Sequence, residues 1–436
     1  MAWDFSTDPE FQEKLDWADS FVREEVEPLD LVWPYPNNYK PLTPERRTVV
    51  DPLKQRVRDR ELWAAHLGPE LGGKGYGQLR LALLNEILGR STWAPVIFGT
   101  QAPDTGNAEI LAHFGTEDQK ERYLRPLLNG EIFSCYSMTE PQAGADPALF
   151  ETTAVRDGDE WVINGWKYFS SNARWAEFLI VMVWTDRDAG LYRGMSMFLV
   201  PRDTPGVNIV RNVGLMGELP EENSHALIHY ENVRVPAENL LGPRGGAFAV
   251  AQTRLGGGRV HHAMRTVGVA QRAIDMLCER ALSRHTKGSI LADKQLVQQY
   301  VADSYIQLRQ FRLLVLNVAW QIDQYQDYKR VRKDIAAIKV LAPTVLHDIV
   351  QRSMQVHGAL GLSSDMPLGQ MWMHAPVMGM ADGPTEVHKV TVAKDVLKGY
   401  KPADGLWPTE HVPTRLAAAQ AKLAAVTELD IRDGSR

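Results

Sequence analysis

The spacing of apolar residues predicts helices in the first third of the chain. They recur every three or four positions at Phe11, Leu15, Ala18, Val22 and Val26. We expect Pro28 to end this first helix. Further helices are predicted over Arg46–Leu67, Leu79–Gly89, Thr105–Phe114 and Glu117–Leu128. The glycine-rich stretch Gly68–Gly77 lacks the ending of a phosphate-binding P-loop, so we interpret it as a connection between helices.

The pattern becomes strand-like after Ile132. Short alternating or apolar runs predict strands over Glu151–Arg156, Trp161–Ser171, Phe178–Trp184, Met195–Pro201, Val207–Val210 and His225–Val235. Many short strands at close spacing are typical of a sandwich or a barrel. We therefore expect a central β domain.

Helical periodicity returns after Gly246. Three apolar stripes cover Val260–Leu277, Leu308–Ile322 and Ile335–Ile349, and Thr385–Leu397 resembles a fourth helix. Pro343 should kink the third of them. The resulting prediction is a mostly α protein with a central β domain: an N-terminal α-helical domain (1–131), a middle β domain (132–243), a C-terminal four-helix bundle (244–400) and a tail (401–436) that could hold a short helix over Ala417–Val426.

Composition and charge narrow the class of protein. The chain has 436 residues and a net charge of −6, which gives no general attraction to nucleic acid or anionic membranes. Its cysteines, Cys135 and Cys278, form no metal-binding spacing and are expected to be free thiols. The acidic segment Met1–Glu10 lacks a signal core, and no apolar run is long enough to span a bilayer. We expect a cytoplasmic protein without metal, nucleic-acid partner or membrane contact.

One segment stands out for binding chemistry. Tyr136–Asp146 combines hydroxyl groups, backbone amides and small residues within one turn. Gly144 and Ala145 would let backbone donors approach a flat polar ring. Taken alone, the segment is more typical of an ordinary loop.

The same segment resembles the flavin-binding signature of the acyl-CoA dehydrogenase family. A second segment, Ile163–Asn172, resembles the family's second flavin segment and follows in the same order. The resemblance covers about Phe11–Gly399 and implies the family's three-part fold and an FAD cofactor. It implies FAD contacts at Tyr136, Met138, Thr139, Gly144, Ala145, Phe169 and Ser171.

Phe169 and Ser171 depart from the family's usual choices. The family commonly has a tryptophan and then a threonine at these places. A phenylalanine keeps the stacking face and loses the indole N–H donor. Without the resemblance, Phe169 would be taken for an ordinary core aromatic.

Two later segments resemble those that contact the other half of FAD. The segment 284–287 is similar to an Arg-x-Thr-Phe-Gly motif, with Lys287 in place of Phe, and implies pyrophosphate contacts by Arg284 and Thr286. The segment 355–361 is similar to a Gln-x-x-Gly-Gly motif and implies adenosine contacts by Gln355 and Gly358. In the family both segments reach the flavin of a neighbouring subunit, which implies a homodimer or a tetramer of dimers.

Asp382 falls where the most common branch of the family has a catalytic glutamate. The reaction needs a base beside the α-carbon because a thioester α-proton is only weakly acidic. We expect burial to raise the pKa of Asp382 towards the working range. The resemblance also implies flavin contacts by Thr385 and Glu386. The alternative for Asp382 is a cap on the helix that follows.

The string Leu255–Arg259 contains three glycines and is expected to open a helix. Glycines there indicate either a loop or a close approach to the backbone. The resemblance implies that this helix lines the acyl-CoA pocket, with Gly256, Arg259 and Ala145 on the substrate side. Another branch of the family carries its glutamate base immediately before this arginine; here that residue is Gly258, which excludes a base at that position.

The segments 381–388 and 259–262 look most like the dehydrogenase part of animal family members that are fused to a kinase-like domain. The expected reaction is FAD-dependent α,β-dehydrogenation of an acyl-CoA to a trans-2-enoyl-CoA, as in fatty acid β-oxidation, with electron-transferring flavoprotein as the acceptor. The alternatives are a flavin oxidase of acyl-CoA or nitroalkane type, a non-catalytic relative that binds DNA, and a helical interaction protein without flavin. An aspartate base is found in the nitroalkane-oxidase branch.

Overall fold

A computed structural model of the chain describes residues 5–35, 37–69, 73–221 and 223–424. The first residues of Met1–Glu10, the middle of Gly68–Gly77 and the last two residues of Ala417–Val426 lie outside this range. The chain forms two compact units, one ending at Thr391 and one beginning at Val392. The second contains a helix over Val412–Ala424, α16 below.

The N-terminal third is helical, as predicted. Its α-helices are α1 (Pro9–Phe21), α2 (Glu27–Val32), α3 (Pro44–Asp59), α4 (Gly77–Leu88), α5 (Ala94–Ile97), α6 (Asp104–Phe114), α7 (Glu117–Gln119) and α8 (Arg125–Asn129). Two π-helical turns, Val22–Val26 and Lys120–Leu124, join α1 to α2 and α7 to α8.

The expectation that Pro28 ends the first helix is wrong. Proline disrupts an α-helix because it lacks an N–H and its ring clashes with the carbonyl four residues earlier. The π-helical turn Val22–Val26 changes the hydrogen-bond register just before Pro28, where the N–H of Glu27 bonds to the carbonyl of Val22. The helix therefore continues to Val32. Pro126 follows the second π-helical turn in the same way.

The middle of the chain forms an eight-stranded sheet in the order β6-β7-β3-β2-β4-β5-β8, with β1 paired to β4. The strands are β1 (Ser134–Ser137), β2 (Thr153–Asp157), β3 (Glu160–Lys167), β4 (Phe178–Trp184), β5 (Met195–Pro201), β6 (Val207–Val213), β7 (His225–Pro236) and β8 (Leu240–Leu241). A short helix, α9 (Leu191–Gly194), precedes β5. Every residue of β4 is buried, since one face packs against α6 and the other against β3 and β7.

Long helices follow the sheet. They are α10 (Ala247–Ser283), α11 (Gln295–Tyr325), α12 (Tyr328–His357), α13 (Ala359–Leu362), α14 (Leu368–Met380) and α15 (Thr385–Leu397). A hairpin of β9 (His285–Thr286) and β10 (Ser289–Ile290) follows α10. The helix α14 was not predicted; it packs its buried residues against the same core as α12. In α15 the one buried side chain is His388.

The largest core joins the two helical regions of the chain. It contains buried residues of α1, α3 and α4 together with those of α10, α11, α12 and α14. The predicted helix–sheet–helix order is thus confirmed. Among the described residues, no helix is both long and apolar enough to cross a membrane.

Candidate active site

Asp382 lies in a turn that three other side chains hold. Its backbone is left-handed, with φ of +56°, and Gly383 follows at +103°. The Nε of Arg259 donates to the carbonyl of Asp382 at 2.9 Å, and Nε2 of His388 lies 3.3 Å from the same oxygen. A non-glycine residue in this conformation is strained, so the surrounding contacts must fix it.

The buried Lys339 stabilises the chain that leads into this turn. Nζ of Lys339 donates to the carbonyls of Met378 and Ala381 at 2.6 and 2.9 Å. These carbonyls belong to the last turn of α14 and to the residue after it, where α-helical bonding leaves acceptors unpaired. Lys339 therefore fixes the chain just before Asp382.

The carboxylate of Asp382 faces one side of α10. Its Oδ2 lies 3.4 Å from Nε2 of His262, and its Oδ1 lies 3.8 Å from an Nη of Arg254. A Cβ added at Gly258 would lie 2.8 Å from Oδ2. Arg254, Gly258 and His262 are four residues apart and so share one helix face. The alternative of a helix cap is not supported, because α15 begins only at Thr385.

The expected pKa shift of Asp382 is wrong in sign. Burial alone would raise its pKa, but the contact from His262 and the positive charges of Arg254 and Lys339 outweigh burial and hold the pKa well below its usual range. Burial lowers the pKa of His262, which favours its neutral ring. The pair therefore consists of an ionised carboxylate and a neutral imidazole at neutral pH.

The three glycines lie inside α10, so the expectation that they open the helix is wrong. The helix begins at Ala247, almost three turns earlier. Each glycine meets a different neighbour: a Cβ would lie 3.4 Å from the ring of Tyr328 at Gly256 and 2.7 Å from Oε2 of Glu109 at Gly257, besides the contact at Gly258. Gly256 thus packs against Tyr328, while Gly257 and Gly258 make room for two carboxyl groups.

Glu109 is a second carboxyl group in this region. It extends from α6, and desolvation raises its pKa to about 8 although the charge of Arg254 opposes the shift. Glu109 is therefore mostly protonated at neutral pH. Arg254 lies close to both carboxyl groups, and its Nε donates to Oδ1 of Asn107 at 2.9 Å.

Tyr136 connects the predicted flavin segment to Asp382. The guanidinium carbon of Arg254 lies 3.9 Å from the centre of the Tyr136 ring, a cation–π contact. Because Arg254 also pairs with Asp382, the segment Tyr136–Asp146 and the candidate base lie on two sides of one arginine.

A buried ion pair joins the two predicted flavin segments, Tyr136–Asp146 and Ile163–Asn172. Nζ of Lys167 lies 2.8 Å from Oε1 of Glu140, and both side chains are essentially inaccessible to solvent. The same ammonium donates to the carbonyl of Met138 at 2.8 Å, and the N–H of Tyr168 donates to the carbonyl of Thr139 at 2.7 Å. Met138 and Thr139 are thereby held beside the second predicted flavin segment.

Phe169 and Ser171 belong to the second predicted flavin segment, Ile163–Asn172. Phe169 has a φ of +54° and its side chain is 42% exposed. Ser171 bridges to Tyr136 through the backbone, and its hydroxyl lies 2.7 Å from Nδ1 of His225. The reading of Phe169 as a core aromatic is therefore wrong, because a large aromatic face is presented to solvent.

The other predicted flavin residues near Asp382 and Thr139 have few contacts with the rest of the protein. They are Gly144, Ala145, Thr385 and Glu386. A Cβ at Gly144 would meet only Cγ2 of Thr139, at an ordinary 3.7 Å, so the protein's own atoms do not require glycine there. Ala145 is exposed. The hydroxyl of Thr385 donates to the carbonyl of Gly379 at 3.3 Å, and Glu386 is exposed.

The chemistry of these groups fits a flavin ring. An exposed aromatic face at Phe169 suits a flat heteroaromatic ring, and the hydroxyls of Thr139 and Ser171 can bond to its polar edge. Within the described residues, no group of three or more metal-binding side chains occurs.

Arg284, Thr286, Gln355 and Gly358 are not brought to the site around Asp382. All four are exposed. Arg284 follows the end of α10, 30 residues beyond Arg254, which corresponds to about 45 Å along the helix. One chain therefore cannot place Arg284 and Asp382 at the same reaction centre.

Sequence reasoning missed several groups that surround Asp382. They are Arg254, Glu109 and Lys339, while His262 and His388 entered only as parts of the segments 259–262 and 381–388. A signal was present for Arg254 and His262, because they flank Gly258 at four-residue spacing within a helix. Glu109 and Lys339 occur in ordinary helical patterns and carry no such signal.

Comparison with known proteins gives a consistent result over most of the chain. Three domain families match: acyl-CoA dehydrogenase, N-terminal domain, at residues 8–131; the middle domain at 135–233; and the C-terminal domain at 245–397.

Among its relatives, the chain is 45% identical to "Probable acyl-CoA dehydrogenase FadE2" of Mycobacterium tuberculosis, over 81% of this chain and 86% of that protein. It is 38% identical to acyl-CoA dehydrogenase family member 11 of Gallus gallus, over 79% of this chain but 45% of that protein. The chain thus spans less than half the length of this animal relative. Butyryl-CoA dehydrogenase of Megasphaera elsdenii has a similar structure, with a TM-score of 0.77 and 26% identity over 90% of this chain and 100% of the other.

Proposed function

The chain belongs to the acyl-CoA dehydrogenase family of FAD-binding oxidoreductases, and from this premise we propose that it oxidises the α,β-bond of an acyl-CoA thioester with Asp382 as the base. The product is a trans-2-enoyl-CoA. FAD, when bound, supplies the acceptor for the β-hydride.

One observation carries this proposal. The carboxylate of Asp382 is ionised, points towards α10 at Gly258, and is linked through Arg254 to Tyr136 of the flavin segment. A base for an α-proton must lie beside the flavin and must be deprotonated before substrate binds. The lowered pKa of Asp382 supports the second requirement, and its link through Arg254 to Tyr136 supports the first.

The chain's own residues divide the work between them. Asp382 takes the α-proton, and its backbone N–H is available to polarise the thioester carbonyl. Arg259, His388 and Lys339 hold the turn in its left-handed conformation. Phe169, Thr139 and Ser171 would hold the flavin ring. Gly257 and Gly258 have no side chains, so α10 leaves room there for the carboxyl groups of Glu109 and Asp382.

The assembly and the electron acceptor form a further part of the proposal. Arg284 and Thr286 would bind the FAD pyrophosphate of a neighbouring subunit, and Gln355 and Gly358 its adenosine half. The distance of about 45 Å between Arg284 and Arg254 along α10 favours this division, since no single site could use both. We propose a homodimer or a tetramer of dimers that passes electrons to electron-transferring flavoprotein from a cytoplasmic location.

Anaerobic reduction of the flavin by a panel of acyl-CoA thioesters tests the reaction. At least one thioester should bleach the flavin absorbance of the wild type, and Asp382→Asn should slow bleaching by about 100-fold or more. Equal rates in the two proteins would reject Asp382 as the base. The variant's flavin content serves as the control for folding. Rapid peroxide formation in air would instead favour the oxidase alternative.

A further inference from the structure

We propose that His262 is a positioning residue for the base: its Nε2–H donates to Oδ2 of Asp382 and leaves Oδ1 as the oxygen that takes the proton. The inference rests on the proposed function for its role in the reaction. The underlying contact between His262 and Asp382 can be tested without substrate.

The geometry distinguishes the two oxygens of Asp382. Oδ2 lies over α10, 3.4 Å from Nε2 of His262 and next to the bare backbone of Gly258. Oδ1 lies on the side of Arg254, whose Nη is 3.8 Å away, too far for a hydrogen bond. Among the described residues, no side chain or backbone group forms a hydrogen bond with Oδ1. Nε2 of His262 is the nearer of these two side-chain nitrogens and lies on the side of Oδ2, so a hydrogen bond there would leave Oδ1 with free lone pairs.

Arg254 does not replace His262 in this role. Its Nε is engaged by Asn107 and its guanidinium lies on the ring of Tyr136. These two contacts fix Arg254 from α6 and β1. Arg254 therefore contributes charge near Asp382, while His262 is the group placed to orient one oxygen.

Other charged and titratable groups face Asp382 from each neighbouring element. They are Arg259 and His261 on α10, Lys339 on α12, His388 on α15 and Tyr136 on β1, together with Arg265 on α10 and His374 on α14 near His262. Arg259 and Lys339 favour the ionised carboxylate by charge, whereas burial lowers the pKa of His388 to about 4, so its ring is neutral at neutral pH. Arg259 and His388 bond to the backbone carbonyl of Asp382 and Lys339 to nearby carbonyls, so His262 is distinct in reaching the carboxylate itself.

A neutral His262 suits this role. A neutral imidazole carries one N–H, and a carboxylate neighbour favours the tautomer that points this N–H towards it. In the proposed reaction the Cα–H bond breaks, the O–H bond forms at Oδ1, and the electron pair of the broken bond enters the new double bond. The β-hydride would be accepted by FAD, the two-electron oxidant that the proposed function names. His262 keeps its proton throughout and no additional reactant is required.

The contact can be tested first without substrate. In FAD-loaded protein labelled with ¹⁵N-histidine, the signals of His262 are identified by their loss in His262→Gln. We expect the Nε2–H tautomer at neutral pH, and loss of this preference in Asp382→Ala. An Nδ1–H tautomer in the wild type, or no change in Asp382→Ala, would overturn the inference whether or not the protein oxidises acyl-CoA.

The second test concerns the role in the reaction. His262→Phe removes the donor, so the pKa of Asp382 in the complex should rise and the acid limb of the kcat profile should move to higher pH by about one unit or more. His262→Gln keeps an N–H donor and should restore much of the wild-type profile. His261→Phe is the matched control, because that buried ring faces His66 instead.

The outcomes separate the two proposals. If no acyl-CoA reduces the wild-type flavin, the proposed function fails while the tautomer experiment still decides the contact. If the wild type is active and His262→Phe keeps the acid limb of the wild-type kcat profile at the same pH, the role of His262 is rejected. Equal shifts of the acid limb of the kcat profile in His261→Phe and His262→Phe would also reject the positioning role of His262.

Discussion

A Cβ atom on Gly258 would lie 2.8 Å from Oδ2 of Asp382, closer than a carbon and an oxygen can approach without displacement. Asp382, the proposed base, and this glycine are thus complementary, because the carboxylate occupies the space that any side chain at position 258 would need. The neighbouring Gly257 has the same relationship to Glu109, at 2.7 Å.

Gly258→Ala should slow flavin reduction more than it affects folding. The added methyl group must displace the carboxylate, and a misplacement approaching 1 Å can cost about 100-fold in rate. Alanine also favours a helix interior over glycine by roughly 1 kcal/mol, so stability should hold. Stopped-flow reduction and thermal unfolding measure the two effects.

Gly369→Ala is the matched control for that substitution. Gly369 lies in the helix α14, and a Cβ there would meet no atom within 4 Å. This variant should gain a similar helix preference and keep the wild-type rate. If Gly258→Ala reduced its flavin as fast as Gly369→Ala, the proposed position of the carboxylate during the reaction would be wrong.

Lys167→Met should destabilise the protein and weaken FAD retention. The substitution leaves the buried carboxylate of Glu140 without its positive partner, which typically costs about 3–5 kcal/mol. It also removes the donor to the carbonyl of Met138 in the flavin segment. Chemical denaturation and the rate of FAD loss measure the two consequences.

An exposed ion pair provides the comparison for Lys167. Nζ of Lys74 lies 2.9 Å from Glu61, close to the 2.8 Å of the buried pair, but both of its side chains are about half exposed. Lys74→Met should cost less than about 1 kcal/mol. Equal losses in the two variants would mean that burial adds nothing to the Lys167–Glu140 pair.

Local sequence patterns predicted most of the fold. The strands Phe178–Trp184 and Met195–Pro201 were predicted with their observed bounds, because a short apolar run that is buried on both faces leaves little ambiguity. The helices α4 and α6 agree within two residues. The prediction failed where hydrogen-bond register changed, as at Pro28, since a π-helical turn leaves no distinct apolar spacing.

The candidate site was less accessible to sequence reasoning. The position of Asp382 followed from a resemblance, and its role stays a prediction. The sign of its pKa shift was wrong because burial was considered without Arg254, His262 and Lys339, which come from two other helices. Glycines 256–258 were interpreted as a helix start because glycine disfavours helix interiors. Their actual reason is the close packing of Tyr328, Glu109 and Asp382, which only the tertiary structure reveals.

Glu109→Gln should stabilise the protein in a pH-dependent way. Burial raises the pKa of Glu109 in the folded state to about 8, from an ordinary value of 4.5. The folded state therefore holds a proton that the unfolded state has lost between these values, and the wild type loses stability as the pH rises from about 4.5 to about 8. The glutamine variant does not lose stability in this way. The difference between its free energy of unfolding and that of the wild type should therefore grow from about pH 4.5 to about pH 8 and then stay constant.

Unfolding free energies of both proteins at several pH values measure the effect. Glu121→Gln, at an exposed position on the segment between α7 and α8, is the control and should change the free energy of unfolding by less than about 1 kcal/mol. An advantage of Glu109→Gln that is the same at pH 5 and pH 8 would contradict a protonated Glu109 in the folded protein.

Lys339→Met should impair the reaction through the turn that carries Asp382. The buried ammonium is 1% exposed and donates to the carbonyls of Met378 and Ala381. Its removal leaves these acceptors without a charged donor, which should cost about 2 kcal/mol or more in unfolding free energy and loosen the left-handed backbone at Asp382. Flavin reduction should slow together with the loss of stability, whereas Lys389→Met, at an exposed position on α15, should change neither. A Lys339→Met protein that keeps both its stability and its rate would show that Arg259 and His388 suffice to hold the base.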